Sequence, residues 1–178
     1  EAGFGADLGG EKFMDIKARF GDLDVAGAVV VATIRSQKYN GGQPREELTT
    51  EDLDALKKGV VNLERHVDNL RSFGLTPVVA LNLFGSDTDA EREFMRQWAK
   101  DANVALEEAD VWSQGGEGAI KLAELLLENL STSASHQLYD PEKGVEASIE
   151  TIATEIYRAE RVEYSSTALK DLKYIKDN

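Results

Sequence analysis

The feature that most constrains the fold is a short apolar run that ends abruptly in a turn. The run Val78–Leu83 is too short for a typical helix, and it lies between Pro77 and Gly85. Such a run predicts a strand of a parallel sheet that is buried on both faces. Thr88 and Glu91 form a capping-box pattern, which predicts a helix directly after the strand. In open α/β sheets, ligands bind outside the carboxyl ends of such strands.

The same strand–turn–helix pattern recurs along the chain. An apolar run at residues 26–34 predicts a second strand that is again buried on both faces. Residues 104–111 predict a third strand, and its carboxylates Glu107, Glu108 and Asp110 indicate an edge strand or a strand end. Apolar residues spaced by three and four between and after the strands predict helices. The predicted helices are 11–20, from 49 or 50 to 73, 89–102, 119–130, 146–158 and 165–176. This alternation predicts an α/β fold, in which a partial parallel sheet is flanked by helices.

A serine-rich break at Ser131–Ser135 divides the pattern, and only helices are predicted after it. We therefore expect an α/β segment with ligand loops at its strand ends over residues 1–130, and a helical extension over residues 131–178. The helix at 119–130 is apolar almost all round, which predicts heavy burial. The first helix is expected to bury a stripe that includes Ile16 and Phe20.

Composition excludes several classes of function. The 178 residues carry a net charge of −13, which argues against a broad surface for nucleic acid or anionic membrane. There is no cysteine, so disulfides, thiolate catalysis and zinc–thiolate sites are excluded. No apolar run approaches the roughly 20 residues that span a bilayer. The chain begins without Met and without signal-peptide features, so we expect an internal segment of a longer, cytoplasmic protein.

Two aromatic residues stand where predicted strands become turns. Phe84 follows the strand at 78–83 and is next to Gly85. Trp112 follows the strand at 104–111 and precedes Gly115 and Gly116. If these strands are neighbours, both rings reach one edge of the sheet and form a slot for a planar heterocycle, with stacking worth about 0.5–1.5 kcal/mol beyond area burial. The alternative is that each ring shields the end of the sheet from water.

Two further groups are candidates for binding an anion. Phe4, Gly5 and Asp7 lie in a glycine-rich stretch ahead of a predicted helix, an arrangement whose backbone N–H groups bind anions. Arg35 and Lys38 follow the first strand beside a glycine pair, where they could hold phosphate or carboxylate. The alternative for the glycine-rich stretch is a plain surface turn. The alternative for Arg35 and Lys38 is a solvated loop whose charges keep it soluble. No side chain is predicted to act as acid, base, nucleophile or metal ligand, and Asp7 is at most an orienting group.

A second interpretation concerns nucleotides. The stretch from Asn82 to Asp87 resembles the base-reading strand end of phosphate-loop nucleotide-binding proteins, and Gly115–Gly118 resembles the loop that follows it. The sequence Gly-x-x-x-x-Gly-Lys-Ser/Thr does not occur, so this segment cannot cradle a triphosphate alone. An alternative therefore stays open. In it, the chain is half of a phosphate-loop-type fold and holds adenine between Phe84 and Trp112.

Six blocks, in order, resemble the formate–tetrahydrofolate ligases, also called 10-formyltetrahydrofolate synthetases. The blocks are residues 1–13, 31–42, 56–66, 82–91, 112–118 and 152–157. Together they cover essentially the whole chain. Gly85–Ser86 stands where the family usually has Pro-Thr.

The resemblance implies an enzyme that joins formate to tetrahydrofolate through formyl phosphate. It implies ATP with Mg as co-substrate, tetrahydrofolate as substrate and a homotetramer, and it leaves open a monovalent cation. The pterin ring would suit the slot between Phe84 and Trp112, and the Phe4–Gly5 loop would offer N–H groups to formyl phosphate. The family's phosphate loop would lie upstream of this segment. The isolated segment is therefore expected to be an inactive scaffold.

Overall fold

The computed structural model describes residues 2–131 and 134–177, which form two compact units. One unit is Asp24–Ser135, and the other combines Glu1–Leu23 with His136–Asn178. The predicted division into 1–130 and 131–178 stays a prediction about domains, but the first 23 residues group with the C-terminal helices and not with the sheet. No helix of the described residues is long and apolar enough to cross a membrane.

The unit of residues 24–135 is built on a three-stranded parallel sheet. Its strands are β1 (Ala28–Ala32), β2 (Pro77–Asn82) and β3 (Ala105–Ala109), in the order β1-β2-β3. The register places Val30 opposite Val79, and Asn82 opposite Ala109. This arrangement confirms the predicted α/β class with a partial parallel sheet flanked by helices.

Helices connect the strands and follow the last of them. They are α1 (Ile34–Asn40), α2 (Leu53–Arg71), α3 (Asp89–Asp101), α4 (Val111–Gln114) and α5 (Ile120–Glu128). The capping box predicted at Thr88 and Glu91 is confirmed at the start of α3, with each residue accepting a hydrogen bond from the other's backbone N–H.

Helix α1 was not predicted, because the apolar run 26–34 indicated a strand that continues through Ile34. The strand instead ends at Ala32, and Thr33 caps a helix. Thr33 Oγ1 accepts a hydrogen bond from Ser36 N at 3.0 Å, and Ser36 Oγ accepts one from Thr33 N at 3.4 Å. Arg35 and Lys38 therefore lie on a helix and not in a loop.

The core of this unit lies around β2, which is buried along almost its whole length, as predicted. Apolar residues of α2 and α3 pack with the sheet. The buried cluster contains Ala32, Ile34, Leu56, Val60, Leu63, Val67, Val79, Leu81, Met95, Trp98 and Ala99. Trp98 belongs to this core, which confirms its prediction as a packing residue.

Two predictions of heavy burial are wrong. The side chain of Val31 in β1 is 69% exposed and that of Val29 is 38% exposed, while Val30 and Ala32 on the opposite face pack with the core. Helix α5 has no buried residue, and Leu127 lies largely in solvent. An apolar pattern shows that a surface favours burial, but it does not show which part of a chain covers it. Among the described residues, the side chains of Val31 and Leu127 therefore stay largely uncovered.

The described residues of the second unit form helices joined by irregular segments, with no strand among them. Turns of π type span Ala6–Gly10 and Phe13–Ala18, a short helix spans Arg19–Gly21, and α6 (Val145–Thr151) and α7 (Ser166–Asp177) follow later in the chain.

The predicted apolar stripe of the first helix is wrong. Met14, Asp15 and Ala18 are buried, whereas Phe20 is 83% exposed and Ile16 is also exposed. A π-type turn bonds residue i to residue i+5, so its winding changes which residues share a face.

Candidate functional site

The carboxyl ends of the three strands place most of the predicted ligand residues at one edge of the sheet. Arg35 lies in the first turn of α1 after β1, Asn82 ends β2 just before Phe84, and Trp112 is in α4 after β3. Strands β2 and β3 are neighbours, and Leu83 N donates to Ala109 O at 3.1 Å beyond the last strand pair. The condition for the aromatic slot, that the two strands are adjacent, is therefore confirmed.

The turn after β2 is held by its own hydrogen bonds. Phe84 N donates to Asp87 Oδ2 at 2.8 Å, and Asp87 N donates to Phe84 O at 2.9 Å. Burial raises the pKa of Asp87, and the nearby charge of Glu91 adds to that rise, while the Phe84 N–H and the Arg35 and Lys38 cations oppose it. These paired bonds fix the backbone from which the Phe84 side chain projects. Asp87 was not singled out from the sequence, although Asp near Gly is a known turn-forming signal.

Arg35 contacts this turn from the neighbouring element. Its guanidinium carbon lies 4.2 Å from the centroid of the Phe84 ring. Its Nη2 and Nε donate to Ser86 Oγ at 3.0 and 3.3 Å. The cation therefore lies over one face of the Phe84 ring, and Phe84 remains 38% exposed.

Trp112 is the most exposed aromatic residue at this edge. Its side chain is 95% exposed, in a short helix capped by Asp110, whose carboxylate accepts hydrogen bonds from Ser113 and Gln114. Those hydrogen bonds lower the pKa of Asp110. An indole in this position cannot seal the end of the sheet from water, so the shielding alternative is wrong for Trp112 within the described residues.

The loop after Trp112 contains the predicted glycines. Gly115 adopts a positive φ of 60°, a conformation that suits glycine, and there is open space where a Cβ of Gly116 would stand. A Cβ on Gly118 would lie 2.4 Å from Asp110 O, so this glycine permits the loop to fold back on the helix start. Gly115 and Gly116 thus leave backbone open at the same edge as Trp112.

Lys38 is not where the sequence placed it, and both interpretations made from the sequence are wrong. Its side chain is buried, and Nζ donates to Glu91 Oε1 at 2.7 Å and to Thr50 O at 2.8 Å. It is neither a charge of a solvated loop nor a cation that faces a ligand. It neutralises a buried carboxylate inside the protein.

Glu91 is the centre of this buried polar cluster. Besides Lys38, it accepts hydrogen bonds from Thr88 N at 3.1 Å and Asp52 N at 3.2 Å. Burial alone would raise the pKa of Glu91, but the hydrogen bond from Lys38 and those from the two backbone N–H groups lower it overall. The carboxylate is therefore ionised and connects α1 with the first turns of α2 and α3.

The glycines near Lys38 have two roles, the close packing of two helices and the formation of a turn. A Cβ on Gly41 would lie 1.8 Å from Ala55 O, and a Cβ on Gly59 would lie 1.7 Å from Gln37 O. These two glycines permit the backbones of α1 and α2 to approach closely. Gly42, with φ of 97° and open space around it, supplies the turn that follows.

Phe4, Gly5 and Asp7 lie in the other compact unit. Phe4 has a positive φ of 65° and its side chain is exposed. Gly5 O accepts hydrogen bonds from the N–H groups at the start of the helical segment, and Asp7 O accepts one from Tyr157 Oη at 3.2 Å. The helical segment already begins at Ala6, so Asp7 lies in its first turn and not in the loop that the sequence predicted ahead of a helix at residue 11. No group of three or more residues that could hold a metal ion occurs among the described residues.

Comparison with known proteins assigns the family. The family model for formate–tetrahydrofolate ligase matches residues 1–178. The chain belongs to the formate–tetrahydrofolate ligase family.

Formate–tetrahydrofolate ligases from several bacteria are similar in sequence to this chain along its whole length. The protein from Corynebacterium diphtheriae is 57% identical over 178 residues, the one from Corynebacterium jeikeium is 53% identical over 185 residues, and the one from Staphylococcus aureus is 51% identical over 179 residues. All of this chain is covered in each comparison, but it spans only 31–32% of the length of these relatives. The resemblance of the sequence blocks to this family is therefore confirmed, for a chain that matches about a third of a ligase.

Proposed function

We propose that this chain is part of an ATP-dependent ligase that joins formate to tetrahydrofolate, and that its sheet edge binds the pterin ring between Phe84 and Trp112. The observation that carries this proposal is the exposure of Trp112, 95%, at the edge where Phe84 also leaves the sheet. Family membership supplies the reaction, and the two aromatics supply a surface for a flat ligand.

The energetics favour a ligand or partner surface over a packing role for Trp112. Covering a Trp side chain removes roughly 150–250 Å² from water, worth about 4–6 kcal/mol at about 25 cal/mol per Å². The fold of the described residues gains almost none of this from Trp112. A heterocycle that lies against the indole would gain much of it, together with stacking.

The reaction requires stabilisation of charge more than a nucleophilic side chain. Formate oxygen attacks the terminal phosphorus of ATP to give formyl phosphate and ADP, and the folate amine then attacks the formyl carbon and releases phosphate. Fixed N–H donors and cations lower such barriers. We assign this role to the Phe4–Gly5 loop, with Asp7 as an orienting group. At the sheet edge we assign the anion and nucleotide region to Asn82, Gly115 and Gly116.

Several properties of the parent enzyme follow from the family and form part of the proposal. ATP would bind together with Mg. The remainder of the ligase would supply the phosphate loop, and this chain would form the other half of a phosphate-loop-type fold. The enzyme would be a cytoplasmic homotetramer that binds small molecules and neither nucleic acid nor membrane. A monovalent cation is a further cofactor to be tested.

Ligand titration tests the slot. In the full-length enzyme with Trp98→Phe, we expect a folate analogue to quench tryptophan fluorescence, and we expect this response to decrease when Trp112→Phe is added. The difference between these two proteins isolates the signal of Trp112. A response to ATP in place of the folate analogue would support the alternative, in which the slot holds adenine. No response to either compound at Trp112 would contradict both.

The isolated chain provides a second test. We expect it to show no ATP-dependent formylation of tetrahydrofolate, since it lacks the Gly-x-x-x-x-Gly-Lys-Ser/Thr sequence. Detectable formylation by residues 1–178 would overturn the expectation that this segment is inactive on its own.

A further inference from the structure

Arg35 connects two segments of the sheet edge that are distant in sequence. It lies in the first turn of α1, yet its guanidinium group contacts the turn after β2, 51 residues later in the chain. Two of its nitrogens donate to Ser86 Oγ, and its guanidinium carbon lies 4.2 Å from the centroid of the Phe84 ring. One side chain thus contacts both the ring and the Ser86 hydroxyl group of the turn that carries the ring.

This arrangement leaves Phe84 with one face for a ligand. A cation over an aromatic face is held by the negative quadrupole of the ring. With one face covered by Arg35, a planar heterocycle can stack only on the opposite face. The hydrogen bonds between Phe84 and Asp87 fix the backbone of the turn, and Arg35 restricts the ring that projects from it.

The guanidinium group suits this task better than an ammonium group. It is planar and has several N–H donors in a fixed fork, so it can stack on a ring and donate to a hydroxyl group at the same time. Lysine would keep the charge but lose the stacked plane and the paired donors. The effect of Arg35→Lys therefore separates geometry from charge.

We propose that Arg35 is a positioning residue for tetrahydrofolate, which acts by holding the Phe84 ring in the orientation that receives the pterin. This inference deepens the proposed function and rests on it, since it requires Phe84 to bind the folate. It replaces the role of Arg35 as a direct ligand of phosphate or formate.

Steady-state kinetics of the full-length enzyme test the proposal. We expect Arg35→Lys and Arg35→Met to raise the KM for tetrahydrofolate by about tenfold, since that corresponds to the loss of a partly exposed cation–π contact and its hydrogen bonds. The KM values for ATP and formate are expected to stay within about twofold of the parent values, as is the thermal midpoint. Ser86→Ala, which removes the hydroxyl anchor alone, is expected to raise the KM for tetrahydrofolate by a few fold.

A double-mutant cycle shows whether Arg35 acts through Phe84. We expect Arg35→Met to have little further effect on the KM for tetrahydrofolate when Phe84→Leu is already present. An equal effect in both backgrounds, or a rise in the KM for ATP or formate, would show that Arg35 contacts a substrate directly and would overturn the proposal. A lower thermal midpoint accompanied by changes in all kinetic constants would also overturn it, because that result describes a structural residue.

The variant Trp112→Ala distinguishes the failure of this inference from the failure of the slot. If Trp112→Ala raises the KM for tetrahydrofolate and the Arg35 variants do not, only the positioning role is wrong. If Trp112→Ala, Phe84→Leu and the Arg35 variants all leave that KM unchanged, the proposed folate slot is wrong, and the inference is overturned with it.

Discussion

Lys38 Nζ lies 2.7 Å from Glu91 Oε1, and both side chains are buried. This pair joins the helix that follows β1 to the helix that follows β2. Arg35 precedes Lys38 by one helical turn, and Phe84 precedes the capping box of Glu91. The buried pair therefore fixes the two elements that bring Arg35 onto the Phe84 ring.

Removing the buried cation is expected to be strongly destabilising. Lys38→Met would leave the Glu91 carboxylate buried without its counter-ion, which typically costs about 3–5 kcal/mol. Urea denaturation of the full-length enzyme, followed by circular dichroism, measures the loss. Lys57→Met is the matched control, because Lys57 is exposed and 3.9 Å from Asp54, and it is expected to cost less than about 1 kcal/mol. Equal losses in the two variants would contradict a structural role for the buried pair.

The lowered pKa of Glu91 makes its contribution dependent on pH. Its pKa in the folded protein lies below the usual 4.5, so the folded state binds fewer protons than the unfolded state near that pH. The stabilisation is fully present above about pH 4.5 and is lost as the pH falls through the folded-state pKa. We expect the stability difference between the parent and Glu91→Gln to be largest near neutral pH and to shrink in acid. A difference that grows on acidification would contradict this assignment.

The close contact of α1 and α2 predicts that replacing Gly59 by alanine lowers the stability of the fold, although helix propensity alone would favour alanine there. In the middle of α2, Gly59→Ala would gain up to about 1 kcal/mol of helix propensity, but its Cβ would lie 1.7 Å from Gln37 O, a backbone atom that must move. We expect a net loss of at least about 2 kcal/mol, within the range for overpacking. Gly85→Ala is the control, since nothing lies within 4 Å of its added Cβ. Thermal unfolding that ranks the two variants in the opposite order would refute the close approach.

An ion cluster between α3 and β3 is expected to contribute less to the stability of the fold than the buried pair of Lys38 and Glu91. Glu108 pairs with Arg92 and, at 2.7 Å, with Arg96, and the two arginines are partly exposed. We expect Glu108→Gln to cost about 1 kcal/mol at low salt, and less in high salt because mobile ions screen partly exposed pairs. Glu93→Gln, which removes a more exposed partner of Arg96, is expected to cost only a few tenths of a kcal/mol. A cost for Glu108→Gln that does not change with salt would contradict the electrostatic explanation.

The sequence predicted those features that depend on neighbouring residues. The apolar run Val78–Leu83 and the capping box of Thr88 and Glu91 are local signals, and the structure confirms both. The alternation of strands and helices then gave the α/β class. The resemblance of six blocks to the ligases gave the family, which the comparisons confirm.

The sequence could not predict features that join distant segments. Lys38 and Glu91 are 53 residues apart, and their pairing depends on α1, whose start was hidden by an apolar run continuing through Ile34. The contact of Arg35 with Phe84 depends on the same helix. The exposure of Val31 also escaped prediction, since the composition of a strand does not reveal what covers each of its faces.

The most direct test of the folate slot is the KM of the full-length enzyme for tetrahydrofolate after Trp112→Ala. We expect that KM to rise by about tenfold or more, which corresponds to about 1.4 kcal/mol or more of lost ring contact, while the KM values for ATP and formate remain close to those of the parent. An unchanged KM for tetrahydrofolate in a correctly folded Trp112→Ala enzyme would show that the indole does not bind the pterin.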